Sequence, residues 1–187
     1  MKTIIEGAAH VFGDNVDTDV IIPARYLTST EPEELGRHCM EGLDPAFAGR
    51  VSPGDVIVAG RNFGSGSSRE HAALAILGTG AACVVAESFA RIFYRNAINV
   101  GLPIVECPGV SSEASDGDRF RVDLDAGVVE NVTRRRRFNA TPLPSFMRDI
   151  LEAGGLMPWV KRQLSAKGEA RVAVPAGEPA QADWRLD

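Results

Sequence analysis

Phe63-Gly64-Ser65-Gly66-Ser67-Ser68-Arg69-Glu70-His71-Ala72 runs a glycine-rich turn straight into two serines, an arginine and a helical stretch. Gly64 and Gly66 permit positive φ and let the backbone approach a ligand closely. The first turn of a helix offers unpaired N–H groups to an anion, so a carboxylate is a suitable guest. Residues 72–77 are almost continuously apolar and rich in helix formers, which predicts a buried helix opening at Ser67. Ser67-x-x-Glu70 also matches a capping box, which by itself explains Ser67 and Glu70 structurally. It leaves Ser68 and Arg69 unexplained, and an arginine is costly to bury unless a negative group meets it. Familiar patterns fit poorly. No Gly-Lys-Ser/Thr closes a P-loop, the third glycine of a dinucleotide fingerprint is missing, and there is no Gly-x-Ser-x-Gly elbow.

Outward from this turn, strand and helix patterns alternate. Residues 3–11 and 56–59 read as strands, and 31–40 as a helix with glutamates in its first turn. A helix over 67–77, a buried strand over 82–86, a helix over 88–98 capped by Ser88 and a strand over 102–106 make a βαβαβ core. Beyond Pro108 the pattern changes to short strands at 119–124 and 128–132 joined by Asp125-Ala126-Gly127, which predicts a β-rich, barrel-like flank. Residues 145–153 form a closing helix ended by Gly154-Gly155, with a short segment at 156–164 behind it. The fold class is α/β. From 165 to 187, alanine, glycine, proline and charge replace periodic apolar residues, so residues 1–164 form the domain and 165–187 a flexible tail.

At 187 residues with 44% hydrophobic side chains, the chain can bury one proper core. Its formal charge of −5 argues against nucleic acid as a partner. Arg134 to Arg137 are the local exception, read as a solvated turn or strand edge, with contact to an acidic partner surface as the alternative. Cys39, Cys83 and Cys107 are scattered and lack a Cys-x-x-Cys pair, implying a reducing compartment and no metal site of the chain's own. No apolar run approaches the ~20 residues that span a bilayer, and no signal peptide pattern opens the chain, so a cytoplasmic protein without membrane contact is expected. Asn15-x-Asp17-x-Asp19 lacks the glycine and glutamate of a calcium loop, with Val20 and Tyr26 in their places, and reads as an Asx-rich turn.

The central motif, followed by Ser88-Phe89-Ala90-Arg91-Ile92-Phe93, resembles the swivelling domain of the aconitase superfamily. Gly13-Asp14-Asn15-Val16-Asp17-Thr18-Asp19-Val20-Ile21-Ile22-Pro23-Ala24-Arg25-Tyr26-Leu27 resembles the opening of the separately encoded small subunits of 3-isopropylmalate dehydratases. Asn96-Ala97-Ile98-Asn99-Val100-Gly101-Leu102-Pro103 adds a fourth block in the expected order. The resemblance covers residues 1–164 and implies an aconitase-type swivelling β/β/α domain.

In that family the small subunit works with a large subunit whose [4Fe-4S] cluster acts as a Lewis acid on a 2-hydroxy diacid. The implied reaction interconverts 2-isopropylmalate and 3-isopropylmalate by dehydration and rehydration in leucine biosynthesis. By position in the motif, Ser67 corresponds to the base and Arg69 to the cation that holds substrate. Ser68 corresponds to a carboxylate contact, and Asp19 and Arg25 lie near the site mouth. Thr28 and Ser29 belong to the loop closing over the variable part of the substrate. Homoaconitase-like relatives carry an arginine where Thr28 stands, so a third substrate carboxylate lacks its cation here. Ser65 replaces the cysteine of many relatives. A citraconate or dimethylmaleate hydratase subunit, a homoaconitase subunit and a non-catalytic carboxylate-binding module on the same fold stay open as alternatives, as does self-association of the isolated chain.

Overall fold

Short runs of valine, isoleucine and alanine between glycines and prolines make the strands, and their register divides one sheet into two halves. The structure, a computed structural model of the chain, describes residues 3–172. In chain order it comprises β1 (Ile4–Phe12), α1 (Thr18–Ile21), a 3-10 turn (Ala24–Tyr26), α2 (Pro32–Gly36), α3 (Phe47–Arg50), β2 (Val56–Ala59), α4 (Glu70–Gly78), β3 (Cys83–Ala86), α5 (Arg91–Val100) and β4 (Ile104–Glu106). A 3-10 turn (Ser111–Glu113), β5 (Arg119–Asp123), β6 (Val128–Asn131), β7 (Arg136–Asn139), α6 (Ser145–Ala153) and α7 (Leu156–Val172) complete it. The seven-stranded sheet has the order β4-β3-β2-β1-β5-β6-β7. It is parallel from β4 to β1 and antiparallel from β1 to β7.

β2 and β3 are buried at every position, as parallel strands covered on both faces should be. Ile57, Ala59, Val84, Ala86 and Ile104 face the helices and pack in one core with Ala72, Ile76, Phe93 and Ala97. Val56, Val58, Cys83, Val85 and Val105 face the other way, into a second core shared with Ile5, Phe120, Val122 and Val129 of the antiparallel half. The sheet therefore curls onto itself as a half-barrel, the β-rich flank expected from the alternating strands after Pro108. Each such valine or isoleucine contributes about 1.5–3 kcal/mol of burial, offset by the entropy of ordering the chain.

Three helix boundaries differ from expectation, each for a tertiary reason. The helix expected over 31–40 stops at Gly36 and continues only as turns. α2 crosses α4 where Gly36 lies against the Gly78 backbone, and Met40 takes a φ of +61° so that its N–H reaches the carbonyl of Ile21 at 2.7 Å. The helix expected from Ser67 begins at Glu70, with Arg69 at its N-cap making no side-chain capping bond, so the capping box does not form. The helix expected from Ser88 begins at Arg91, because the Ser88 Oγ accepts the Asn62 N–H at 2.9 Å instead. At the other end of the domain, α7 runs from Leu156 to Val172, through position 165. The remainder of the expected tail, 173–187, lies outside the described residues.

The four arginines occupy the β6–β7 turn and the start of the edge strand β7. Arg134 Nε donates to Asp118 Oδ2 at 2.7 Å, and that oxygen also accepts from the buried Asn131 amide at 2.8 Å. Arg136 pairs with Glu113 at 3.3 Å, while Arg135 takes the turn with φ +56°. Two of the four thus tie the flank to the 111–118 loop.

In the middle of the sheet, Asp55 joins β1 to the loop before β2. Its Oδ1 accepts the Ala8 N–H at 3.1 Å, and its Oδ2 accepts the Ser52 N–H at 2.8 Å and bonds His10 Nε2 at 3.0 Å. Burial raises the Asp55 pKa, but the bonds from His10, Ser52 and Ala8 outweigh it and leave the carboxyl below its usual value. A depressed carboxyl stabilises the fold above its unfolded pKa of about 3.9, and that stabilisation is lost as pH falls through the folded value. Asp55→Asn is expected to cost about 2 kcal/mol, or roughly 4–8 °C in Tm, at neutral pH. Thermal unfolding should show the gap between variant and parent closing in acid; a gap independent of pH would exclude the carboxylate as its source.

Candidate active site

The turn 63–68 is held from two sides by main-chain bonds, and these decide its shape. On one side the Gly64 N–H donates to the Val16 carbonyl and the Thr18 N–H to the Ser65 carbonyl, both at 2.8 Å. Thr18, itself buried, also donates its Oγ1 to the Ser67 carbonyl at 3.0 Å. On the other side Phe63 and Ala90 exchange bonds with Ser88 and Phe63, at 3.0 and 2.9 Å. With its carbonyls taken by strand-like partners, the segment cannot enter the helix. Gly64 and Gly66 have φ of +78° and +88°, and a Cβ on either would collide with Phe93 or with the Asp17 carboxylate.

Ser67 and Ser68 stand exposed on this turn. Arg69 beside them is largely enclosed, its side chain 16% exposed. One guanidinium nitrogen pairs with the Asp19 carboxylate and reaches the Ile22 carbonyl at 3.3 Å. Asp17 caps α1 by accepting the Asp19 N–H at 2.7 Å, which sets where Asp19 starts. The acidic segment is thus the Asx turn expected from its sequence. The structure brings Asp19, Ser67, Ser68 and Arg69 together.

Arg25, Thr28 and Ser29 belong to a second group, linked to the first through the chain after Ile22. Arg25 pairs with Glu41 and lies 4.7 Å over the Tyr26 ring. Tyr26 stacks on His38 with ring centroids 3.7 Å apart. Its hydroxyl donates to Glu41 Oε1 at 3.2 Å, while His38 Nδ1 lies 3.0 Å from Oε2. The Tyr26 hydrogen bond, reinforced by His38 and Arg25, holds the Glu41 carboxyl below its ordinary range against the opposing effect of burial. The Ser29 Oγ donates to Glu34 at 2.5 Å and accepts the Glu31 N–H at 3.2 Å. Thr28 is exposed. Glu41 and His38 carry no motif signal of their own, and Thr18 lies within the 13–27 block without a role assigned there; the pairs they make are visible only in the folded chain.

Cys39, Cys83 and Cys107 are all buried. Burial pushes the Cys39 thiol far up, Cys83 to about 12 and Cys107 to about 11, the last aided by Glu87. Such thiols are neither nucleophiles nor ready ligands. Among the described residues no group of three His, Cys, Asp or Glu side chains could hold a metal ion, and no helix is long and apolar enough to cross a membrane.

The aconitase C-terminal domain family matches residues 33–108, a span that includes the turn, α4 and α5. The isopropylmalate/citramalate isomerase small subunit of Methanocaldococcus jannaschii is 56% identical over 165 residues, 88% of this chain and 98% of that protein. The 3-isopropylmalate dehydratase small subunit of Halothermothrix orenii is 58% identical over 157 residues, 84% of this chain and 95% of its own length. A crystal structure of 3-isopropylmalate dehydratase from Methanocaldococcus jannaschii matches with a TM-score of 0.85 at 47% identity, covering 89% of this chain and 99% of the other.

Proposed function

The chain belongs to the 3-isopropylmalate dehydratase small-subunit family, and on that premise we propose that Ser67 is its catalytic base and Arg69 its substrate-holding cation. The observation that carries this reading is the pairing of an exposed serine with an enclosed arginine across the turn 66–69. Ser67 takes the proton from the carbon next to a substrate carboxylate; in the reverse direction it returns that proton. Arg69 presents a planar fork to the carboxylate, and Ser68 adds a hydroxyl donor. Asp19 keeps the guanidinium aimed until substrate arrives. Arg25 and the loop through Thr28 and Ser29 border the variable substituent.

The [4Fe-4S] cluster is assigned to the large subunit, a reading that the family resemblance supports. The exposure of Ser67 and Ser68 fits a half-site that a partner completes. The isolated chain is therefore inactive, and the working enzyme is a cytoplasmic hetero-oligomer.

The substrate is an alkylmalate. Thr28 supplies no cation for a third carboxylate, which disfavours homocitrate. The name of one relative pairs isopropylmalate with citramalate, and the polar Thr28-Ser29-Thr30 segment suits a smaller substituent equally well, so a methyl-substituted malate is the second reading. The test is anaerobic reconstitution with the large subunit, following the unsaturated acid in the ultraviolet from 3-isopropylmalate, citramalate, dimethylmalate and homocitrate. Preference for 3-isopropylmalate is expected. Preference for citramalate or dimethylmalate would move the chain to the second reading, and absence of turnover with all four would overturn the catalytic assignment.

A further inference from the structure

The outward face of α5 is built for something other than the fold of this chain. Phe93, Ala97 and Ile98 are buried beneath the helix, whereas Arg91, Ile92 and Arg95 stand exposed, with Ile92 47% accessible. Among the described residues neither arginine makes an ion pair or a side-chain hydrogen bond. Arg91 occupies the first helical position, where the macrodipole disfavours a cation. The fold gains nothing electrostatic from placing it there.

Beside this face lies a cavity of about 240 Å³ lined by Phe89, Arg91, Tyr94, Arg95 and Glu106. Two guanidinium groups against one carboxylate leave it positively charged, with an aromatic lining. The cavity adjoins the catalytic turn: Phe89 meets Phe63 edge to face at 6.1 Å, and Phe63 leads directly into Gly64. A chain that closes over Ser67 and Ser68 has this helix face next to it. Arginine and aromatic side chains around a partly apolar centre are the composition typical of interface anchors.

We propose that the Arg91-Ile92-Arg95 face of α5 and the adjoining cavity form a docking surface for the cluster-bearing large subunit, matching an acidic patch that inserts an apolar side chain. The proposal rests on the function assigned above and deepens it by naming where the partner binds. Carboxylates on the partner would meet Arg91 and Arg95, steering association and fixing its register.

The experiment measures binding of the full chain to the large subunit by calorimetry, with turnover recorded at rising concentrations of large subunit. Arg91→Glu/Arg95→Glu is expected to weaken association by about 100-fold and flatten its salt dependence, with unchanged Tm. Its kcat should return to the parental value once the large subunit is in excess. Ile92→Ser is expected to weaken binding by roughly tenfold without altering the salt dependence. Ser67→Ala should bind as the parent does. Undiminished affinity in both α5 variants while the parent binds and turns over would overturn the docking face and leave the catalytic reading intact. Loss of self-association in the charge-reversed variant, with large-subunit binding unchanged, would assign the face to a second copy and likewise overturn the proposal. Failure of the parent itself to bind the large subunit would overturn the functional reading and this surface with it.

Discussion

Ser67→Ala is expected to lower kcat of the reconstituted enzyme by about 10²- to 10⁴-fold, the range general-base catalysis supplies. The fold and the assembly should not change. The Ser67 hydroxyl is exposed, and the bond that fixes this residue runs from Thr18 Oγ1 to its main-chain carbonyl, which alanine keeps. The size of the effect follows from how hard the base is to form. A serine hydroxyl is about as weak an acid as bulk water, so forming its alkoxide near neutrality requires about 12 kcal/mol. A helix N-terminus contributes about 1–2 kcal/mol at best, and that only within its first turn. Because α4 starts at Glu70 rather than at Ser67, even this contribution is diminished. The rest must come from Arg69, neighbouring N–H donors and a site closed and dried by the partner. Steady-state turnover with calorimetric control of subunit binding is the measurement; activity within about tenfold of the parent would remove Ser67 as the base.

Arg69→Lys is expected to lower kcat/KM by about 10²- to 10³-fold despite keeping the charge. Arg69 meets Asp19 and the Ile22 carbonyl through its planar head while lying largely enclosed. A lysine is a compact point charge that cannot hold Asp19 and a carboxylate in one plane. A substrate carboxylate must also compete with Asp19 for this cation, and only a fork can serve both at once. Comparison of kcat and KM separates the contributions. A loss confined to KM would show that the fork binds ground state and transition state alike, whereas an equal loss in kcat and kcat/KM locates its action in the transition state. Activity above about a tenth of the parent would show that charge alone suffices.

These expectations draw on features of unequal legibility. β2 and β3 were readable because four consecutive buried residues between breakers leave little alternative. α6 was readable from its apolar spacing and the glycine at its end, where Gly154 takes φ +85°. β7 was seen only as a possible strand edge, since arginine carries no strand signal and its pairing with β6 supplies the reason. Among the site residues, Ser68 and Arg69 were visible because a capping box leaves a second serine and an arginine after a glycine turn unexplained, and Ser67 was visible through its position in the motif. Asp19 was visible as part of a motif but not as the partner of Arg69. Glu41 and His38 were invisible: their significance lies in meeting Arg25 and Tyr26 across a turn that ends the expected helix.

The amino-acid sequence determined the alternation of strands and helices, the curled α/β class and the chemical character of the turn. Those properties depend on side chains within a few residues of one another, through periodicity, glycine and charge. Tertiary structure decided where α4 and α5 begin, which face of the turn is open and what Arg69 holds. Those outcomes rest on bonds between residues far apart in the chain, such as Thr18 to the Ser67 carbonyl and Arg69 to Ile22, 49 and 47 positions away. A carbonyl bound across such a span is withdrawn from the local helix, so a capping pattern that is sound in isolation yields to the fold around it.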